Sequence, residues 1–89
     1  MVITGLDHTD KGEKCSDISL RDLSNYQQCK LAWSYALSIN TKAEYIEYGF
    51  WSNYPKGCYI NDYGQIYFNG HETGEPQPNS RTICQAGNQ

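Results

Sequence analysis

Four cysteines spread over nearly the whole of an 89-residue chain constrain the fold more than any other feature. They are Cys15, Cys29, Cys58 and Cys84, an even number that suits cross-links between distant segments. The apolar supply is thin, because hydrophobic residues make up 38% of the chain and a short chain buries a small fraction of its surface. Each of two disulfides would contribute about 3–4 kcal/mol by restricting the unfolded chain. We therefore expect oxidation to be required for folding.

Zinc binding is the competing use of four cysteines. Tetrahedral zinc motifs bring their ligands in close C-x-x-C or H-x-x-x-H pairs, and the sequence contains no such pair. The two histidines, His8 and His71, lie apart in polar stretches. The spacing therefore predicts two disulfides, no metal and no cofactor, and it favours an extracellular or cell-surface location.

The charge distribution argues against nucleic acid and membrane partners. The formal net charge is -3, and the seven Lys and Arg residues are scattered along the sequence, whereas a protein that binds the phosphate backbone needs a basic stripe. No apolar stretch approaches the roughly 20 residues of a transmembrane helix. The first 14 residues also lack the apolar segment of a signal peptide, so we expect a mature or excised segment if the protein is secreted.

The first half of the chain predicts an extended arm followed by a helix. Residues 1–14 show no sustained periodicity and predict an N-terminal arm, in which Val2–Thr4 would add a short edge strand. Residues 15–89 then form one domain. The S-x-x-D pattern of Ser19–Asp22 predicts a capping box at a helix start. Apolar residues at three- and four-residue steps predict an amphipathic helix over Leu20–Ser38, with Cys29, Trp33 and Ala36 on its core-facing side.

The second half predicts a small antiparallel sheet. Tyr45–Trp51 alternates as a strand does, which places Ile46, Tyr48 and Phe50 on one face and Tyr45, Glu47, Gly49 and Trp51 on the other. Two further strands, Gly57–Ile60 and Gln65–Asn69, predict a β-hairpin. Gly70–Ser80 predicts a long exposed loop, and Arg81–Cys84 a short closing strand. The predicted fold class is α+β, with one amphipathic helix packed on a small antiparallel sheet that contains a β-hairpin.

Within the hairpin, the strand period separates the residues into two faces. Cys58, Ile60, Ile66 and Phe68 should look inward, while Tyr59 and Tyr67 look outward.

No residue pattern predicts an enzyme. A hydrolase nucleophile needs a base beside a Ser or Cys, but the cysteines are better explained as bridges. A glycosidase needs two carboxylates across a cleft, and the acidic residues form no distinctive pair. Asn61, Asp62 and Asn69 carry oxygens suited to calcium, but the calcium-loop pattern is missing.

Eight tyrosines and two tryptophans are unusual in so short a chain. We assign Trp33, Phe50 and Phe68 to the core, together with Tyr48. The remaining rings exceed what the core can hold and are candidates for an exposed binding face, since rigid amphipathic rings dominate binding hot spots and stack on sugars. The alternative is that Tyr59 and Tyr67 only stabilise the hairpin as a cross-strand pair. The candidate binding residues are Tyr45, Trp51, Tyr54, Tyr59, Tyr67 and, in the following loop, His71.

The order of these motifs resembles that of a known extracellular module. A cysteine-bearing helix, an aromatic strand, a P-x-G-C-Y turn at Pro55–Tyr59 and a Y-F-N strand at Tyr67–Asn69 resemble the PAN/apple group, in a compact variety found in secreted proteins of unicellular eukaryotes. The resemblance implies a Cys29–Cys58 bridge and a Cys15–Cys84 bridge. The inward orientation predicted for Cys29 and Cys58 favours the same pairing among the three that four cysteines allow.

Two functions follow as hypotheses. In the first, the chain is a non-catalytic extracellular module that binds a protein or a glycan through its aromatic sheet face and the Gly70–Ser80 loop. In the second, it is a self-assembling structural subunit of an oligomer or fibre, in which that face and the N-terminal arm contact identical copies. A small secreted inhibitor or effector is a third possibility.

Overall fold

A computed structural model describes residues 5–86, except for the side chain of Ile46. The fold is α+β with a mainly antiparallel sheet, and its disulfides join Cys15 to Cys84 and Cys29 to Cys58. The predicted fold class and both predicted bridges are confirmed. The strand predicted at Val2–Thr4 lies outside the described residues. In chain order the elements are β1 (Asp7–His8), a 3-10 turn (Cys15–Ile18), β2 (Arg21–Asp22), α1 (Tyr26–Leu31), α2 (Trp33–Ile39), β3 (Glu44–Gly49), β4 (Gly57–Asn61), β5 (Gln65–Asn69) and β6 (Ser80–Gln85).

The predicted start of the helix is wrong. Arg21 and Asp22 form β2, which pairs antiparallel with β6, so the S-x-x-D pattern does not cap a helix. The cap is Asn25, whose Oδ1 accepts the Gln28 N–H at 2.9 Å. The Gln28 side chain in turn accepts the Ser24 N–H at 2.6 Å. Pairing with β6 thus takes the backbone groups that the early helix turn would have used.

The predicted single helix is divided in two, and the division moves Trp33 out of the core. α1 ends at Leu31, and Ala32 has φ -80° and ψ 1° before α2 begins. Ala32 and Ala36 are fully buried, whereas Trp33 is 46% exposed. The Trp33 indole N–H donates to the Ala43 carbonyl at 2.7 Å. The assignment of Trp33 to the core is therefore wrong, because the helix approaches the sheet through two small side chains.

The sheet has the strand order β1-β6-β4-β5-β3, and β2 also pairs with β6. The β4–β5 hairpin is present with the predicted inward set, since Cys58, Ile60, Ile66 and Phe68 are all buried. The last strand is longer and more central than the predicted closing strand, because β6 pairs with β1, β2 and β4. β3 lies parallel to β5, unlike the other pairs.

Part of the predicted N-terminal arm belongs to the sheet. Asp7 and His8 pair with Cys84 and Ile83 of β6, and Thr9 is fully buried. The Thr9 N–H donates to the Thr82 carbonyl at 3.0 Å. Residues 7–9 are therefore held by their own domain, which leaves them no freedom to reach a neighbouring copy.

The helices and the sheet enclose the core around the Cys29–Cys58 bridge. Both sulfur-bearing residues are fully buried and join α1 to β4. The Cys15–Cys84 bridge lies elsewhere and ties the 3-10 turn to β6. The bridges thus link the 3-10 turn and α1 to two strands of the sheet. The core consists of Leu23, Cys29, Ala32, Ala36, Ala43, Cys58, Ile60, Ile66, Phe68 and Ile83.

Candidate functional site

Four of the six candidate binding residues form one cluster of rings on the face of the sheet opposite the helices. Tyr59 and Tyr67 are cross-strand partners in β4 and β5, and their rings stack with centroids 5.5 Å apart. The Tyr54 ring stacks on Tyr59 at 6.0 Å with an interplanar angle of 3°. Trp51 meets both Tyr54 and Tyr67 edge-on, at 6.5 Å and 5.8 Å. We call Trp51, Tyr54, Tyr59 and Tyr67 the tyrosine cluster.

The exposure of the tyrosine cluster differs from ring to ring. Tyr59 is only 4% exposed, because Tyr54 covers it, whereas Tyr54 itself is 41% exposed. Trp51 and Tyr67 are half-buried. The predicted exposure of Tyr59 is therefore wrong: its ring supports the cluster, and Trp51, Tyr54 and Tyr67 present most of the accessible surface.

A β-bulge removes Tyr45 from this cluster. The pairing of β3 with β5 shifts by one residue between Tyr45 and Glu47, so Tyr45 pairs with Ile66 and Tyr48 pairs with Phe68. Because paired residues share a face of the sheet, Tyr45 and Tyr48 lie on the helix side, which contradicts the predicted alternation. Tyr45 packs against the core, and its hydroxyl is enclosed without a hydrogen-bond partner among the described residues.

His71 has a structural part in the loop and does not line the cluster. Its Nδ1 accepts the Gly74 N–H at 3.0 Å and the Thr73 N–H at 3.2 Å, which turns the chain at Gly74, where φ is +58°. The predicted long loop is only partly exposed, since Ser80 at its end is buried in β6.

Asn69 holds the tyrosine cluster in place. It is fully buried, and its Nδ2 donates to the carbonyls of Trp51, Tyr54 and Pro55 at 2.7, 3.0 and 3.0 Å. Its Oδ1 accepts the N–H groups of Trp51 and His71 at 2.8 and 3.0 Å. One side chain thus organises the whole turn between β3 and β4. The sequence analysis considered Asn69 only as a calcium ligand and missed this role; the Y-F-N pattern was the available signal.

A groove of about 350 Å³ runs beside the tyrosine cluster. No Lys, Arg, Asp or Glu lines it. Gln65 Oε1 accepts from Asn61 Nδ2 at 2.9 Å, and Asn79 Oδ1 accepts from the Ser80 hydroxyl at 3.3 Å. These bonds use the amide oxygens, and each of the two side chains also carries an NH₂ donor. The lining residues are Trp51, Tyr54, Tyr59, Asn61, Gln65, Tyr67, Asn79 and Ser80.

Burial within the cluster raises the pKa of the Tyr59 hydroxyl far above its usual value, and Tyr67 and Tyr54 add to the shift. Above about pH 10 the unfolded chain loses this proton while folded Tyr59 keeps it. The unfolded state then binds fewer protons, so we expect stability to fall as the pH rises above about 10. Tyr59→Phe should reduce this fall, as measured by urea unfolding at about pH 8 and about pH 10.5. An equal fall in both proteins would mean that Tyr59 ionises freely in the fold.

Within residues 5–86, no group of three His, Cys, Asp or Glu side chains is placed to hold a metal ion. In the same part of the chain, no helix has the length and apolar character needed to cross a membrane. Comparison of the chain with protein-family models, curated proteins and solved structures finds no match.

Proposed function

We propose that this chain is a non-catalytic binding module that takes a neutral glycan in the groove beside the tyrosine cluster. The observation that carries the proposal is the combination of accessible aromatic rings with amide and hydroxyl groups in one uncharged groove. Aromatic faces pack on the C–H faces of sugar rings, while amides and hydroxyls bind their hydroxyl groups. The volume of about 350 Å³ lies within the range of small-ligand sites.

The rest of the chain is compatible with this role outside the cell. Two disulfides in a small domain suit an oxidising compartment, so we propose an extracellular or cell-surface location. A PAN/apple-like relationship, which the P-x-G-C-Y and Y-F-N patterns suggest, remains part of the proposal.

The proposal predicts that Tyr54→Ala weakens glycan binding at least about tenfold, because removing an exposed hot-spot ring costs more than about 1.4 kcal/mol. A glycan array would identify the ligand, and calorimetry with the best neutral oligosaccharide would measure the affinity. Tyr26→Ala is the matched control, because both tyrosines are 41% exposed and Tyr26 lies on α1, outside the groove. The proposal fails if folded Tyr54→Ala binds as tightly as the unchanged protein, or if the array shows no binding.

A second candidate function, self-assembly, is favoured by a different observation. The predicted route through the N-terminal arm is unavailable to residues 7–9, which bond to their own sheet. However, three other rings, those of Tyr26, Tyr48 and Phe50, lie exposed around a larger groove.

A further inference from the structure

A second aromatic surface lies on the helix side of the sheet, where the sequence predicted core. Tyr48 is 47% exposed and Phe50 is 63% exposed, so their assignment to the core is wrong. Tyr48 contacts Tyr26, Phe50 and Phe68 with ring centroids 5.2, 5.4 and 6.0 Å apart. Tyr48 pairs with Phe68 of β5 and so shares its face of the sheet, where the Tyr26 ring of α1 covers it only in part.

These rings form one wall of a groove of about 650 Å³, which we call the aromatic trough. Phe68 lies at its base and is 7% exposed, while Tyr26, Tyr48 and Phe50 are open to solvent. Arg21, Asp22 and Lys56 also line it. Exposed rings around a concave groove are the usual sign of a protein interaction site.

The rim of the aromatic trough is positive, although the chain as a whole is acidic. Arg21 and Lys56 also line an adjoining depression that includes Lys14, and the Lys30 Nζ lies 5.8 Å from the centroid of the Tyr26 ring. Within residues 5–86, the salt bridges involve His8, Lys11 and Arg81 and none of these four cations. Asp22 is the carboxylate that lines the trough, so the rim favours a ligand with negative charge.

The same chain carries an aromatic side chain beside an acid at the tip of the β4–β5 hairpin. Tyr63 is 78% exposed, more than any other large hydrophobic residue described, and follows Asp62. The tip is rigid, because Asn61 Oδ1 accepts the N–H groups of Tyr63 and Gln65 at 2.9 and 3.0 Å. The backbone that carries Tyr63 therefore loses little conformational freedom on binding.

The tip and the trough lie at opposite ends of the hairpin. The trough is lined by Gly57 and by residues 68–70, whereas Tyr63 lies in the turn that joins the two strands at their other end. Strands of five residues separate these ends by about 17 Å. A molecule therefore cannot fill its own trough, but it can fill that of another copy.

We propose that Tyr63 of one copy inserts into the aromatic trough of the next, with Asp62 beside Arg21 and Lys56. Asp62 already pairs with Lys11 at 2.7 Å, and both side chains are nearly half exposed. An exposed pair of this kind contributes less than about 1 kcal/mol, so it can be exchanged for the cations of the rim. The contact uses none of the residues that line the glycan groove.

Because the two surfaces differ, the contact is head-to-tail. Each copy presents a free tip and a free trough, so association continues into open chains or closes into rings. One ring in one groove buries less area than a stable interface. We therefore expect weak association, with the mean mass rising roughly twofold between about 0.01 and 1 mM protein.

Sedimentation of the oxidised protein and of two variants tests this proposal. Tyr63→Ala removes the inserting ring and Phe50→Ala removes a wall of the trough, and we expect each variant alone to stay monomeric over the same concentration range. Leu31→Ala is the control, because it removes another exposed apolar side chain (54% exposed) outside the trough, and it should associate as the unchanged protein does.

Mixing the two variants gives the most specific result. Tyr63→Ala retains an intact trough and Phe50→Ala retains an intact tip, so an equimolar mixture should form one contact per pair and stop at a 1:1 dimer. A circular dichroism spectrum that matches the unchanged protein shows that each variant is folded. Concentration-independent monomer in the unchanged protein, association of either variant alone, or a purely monomeric mixture would overturn the proposal. None of these outcomes depends on glycan binding.

Discussion

A chain that lacks the Cys15–Cys84 disulfide should lose about 4 kcal/mol of its free energy of unfolding. The bridge spans 69 residues, and the stabilisation from restricting the unfolded chain grows slowly with loop length. The Cys29–Cys58 bridge spans 29 residues and should contribute about 3.5 kcal/mol on the same basis. A domain of this size has only about 5–13 kcal/mol in total. Loss of either bridge should therefore leave a marginally stable protein, and loss of both should leave an unfolded one.

Urea unfolding of the two double-alanine variants, followed by circular dichroism, measures these losses. Each variant retains one bridge and serves as the control for the other. Full reduction of the unchanged protein should abolish the cooperative transition. The prediction is wrong if both variants unfold at the urea concentration that unfolds the unchanged protein, because packing alone would then hold the helices on the sheet.

Replacing Asn69 with alanine should cost at least about 3 kcal/mol of folding free energy. The substitution removes five hydrogen bonds. The carbonyls of Trp51 and Pro55 lose the Asn69 donor, whereas the Tyr54 carbonyl still accepts the Glu75 N–H. Each buried polar group that loses its partner costs about 1–3 kcal/mol, partly recovered if water enters. Because the same bonds position Trp51 and Tyr54, any folded Asn69→Ala protein should also bind glycan more weakly.

Asn69→Asp tests the hydrogen bonds of Asn69 at nearly constant side-chain size. It keeps an acceptor for the N–H groups of Trp51 and His71, but it places a second oxygen against three carbonyls. We expect a loss at neutral pH at least as large as that of Asn69→Ala. Asn53→Ala, at an exposed position of the same turn, should change stability by less than about 0.5 kcal/mol. Urea unfolding of the three variants measures their free energies of unfolding, and equal stability of Asn69→Ala and Asn53→Ala would refute the role of Asn69.

Local patterns predicted the hairpin well. The strands Gly57–Asn61 and Gln65–Asn69 alternate apolar and polar residues around a turn of Asn, Asp and Gly, and that information lies within 13 residues of chain. The strand period also predicted the inward orientation of Cys58, which agrees with its bridge to Cys29. Strand period and turn chemistry operate over short distances, so a sequence can report them without knowledge of the neighbours.

The exposure of individual rings was predicted poorly. Tyr59 was expected outside and is buried by Tyr54, whereas Phe50 and Trp33 were expected inside and lie open. Tyr54 covers Tyr59 because Asn69 holds the turn from another strand, and Phe50 follows β3, whose pairing with β5 ends at Gly49. Each of these causes depends on residues distant in sequence.

The positions of the positive charges also could not be predicted from local patterns. Lys14, Arg21, Lys30 and Lys56 are scattered along the sequence, which argued against a basic stripe, yet three of them line adjoining depressions and the fourth lies over Tyr26. Pairing of β2 with β6 carries Arg21 to the end of the hairpin where Lys56 lies. The order of charges along the sequence does not show that these two side chains lie at the same end of the hairpin.

The sequence by itself determined the class of the fold, the hairpin and the presence of two cross-links, because composition, strand period and cysteine spacing express local preferences and the shortage of apolar residues. Only the tertiary structure decided which rings face solvent, which amide anchors the aromatic turn, and where the positive side chains gather. Those outcomes depend on strand register and on contacts between distant segments, and such contacts form only when folding brings the segments together.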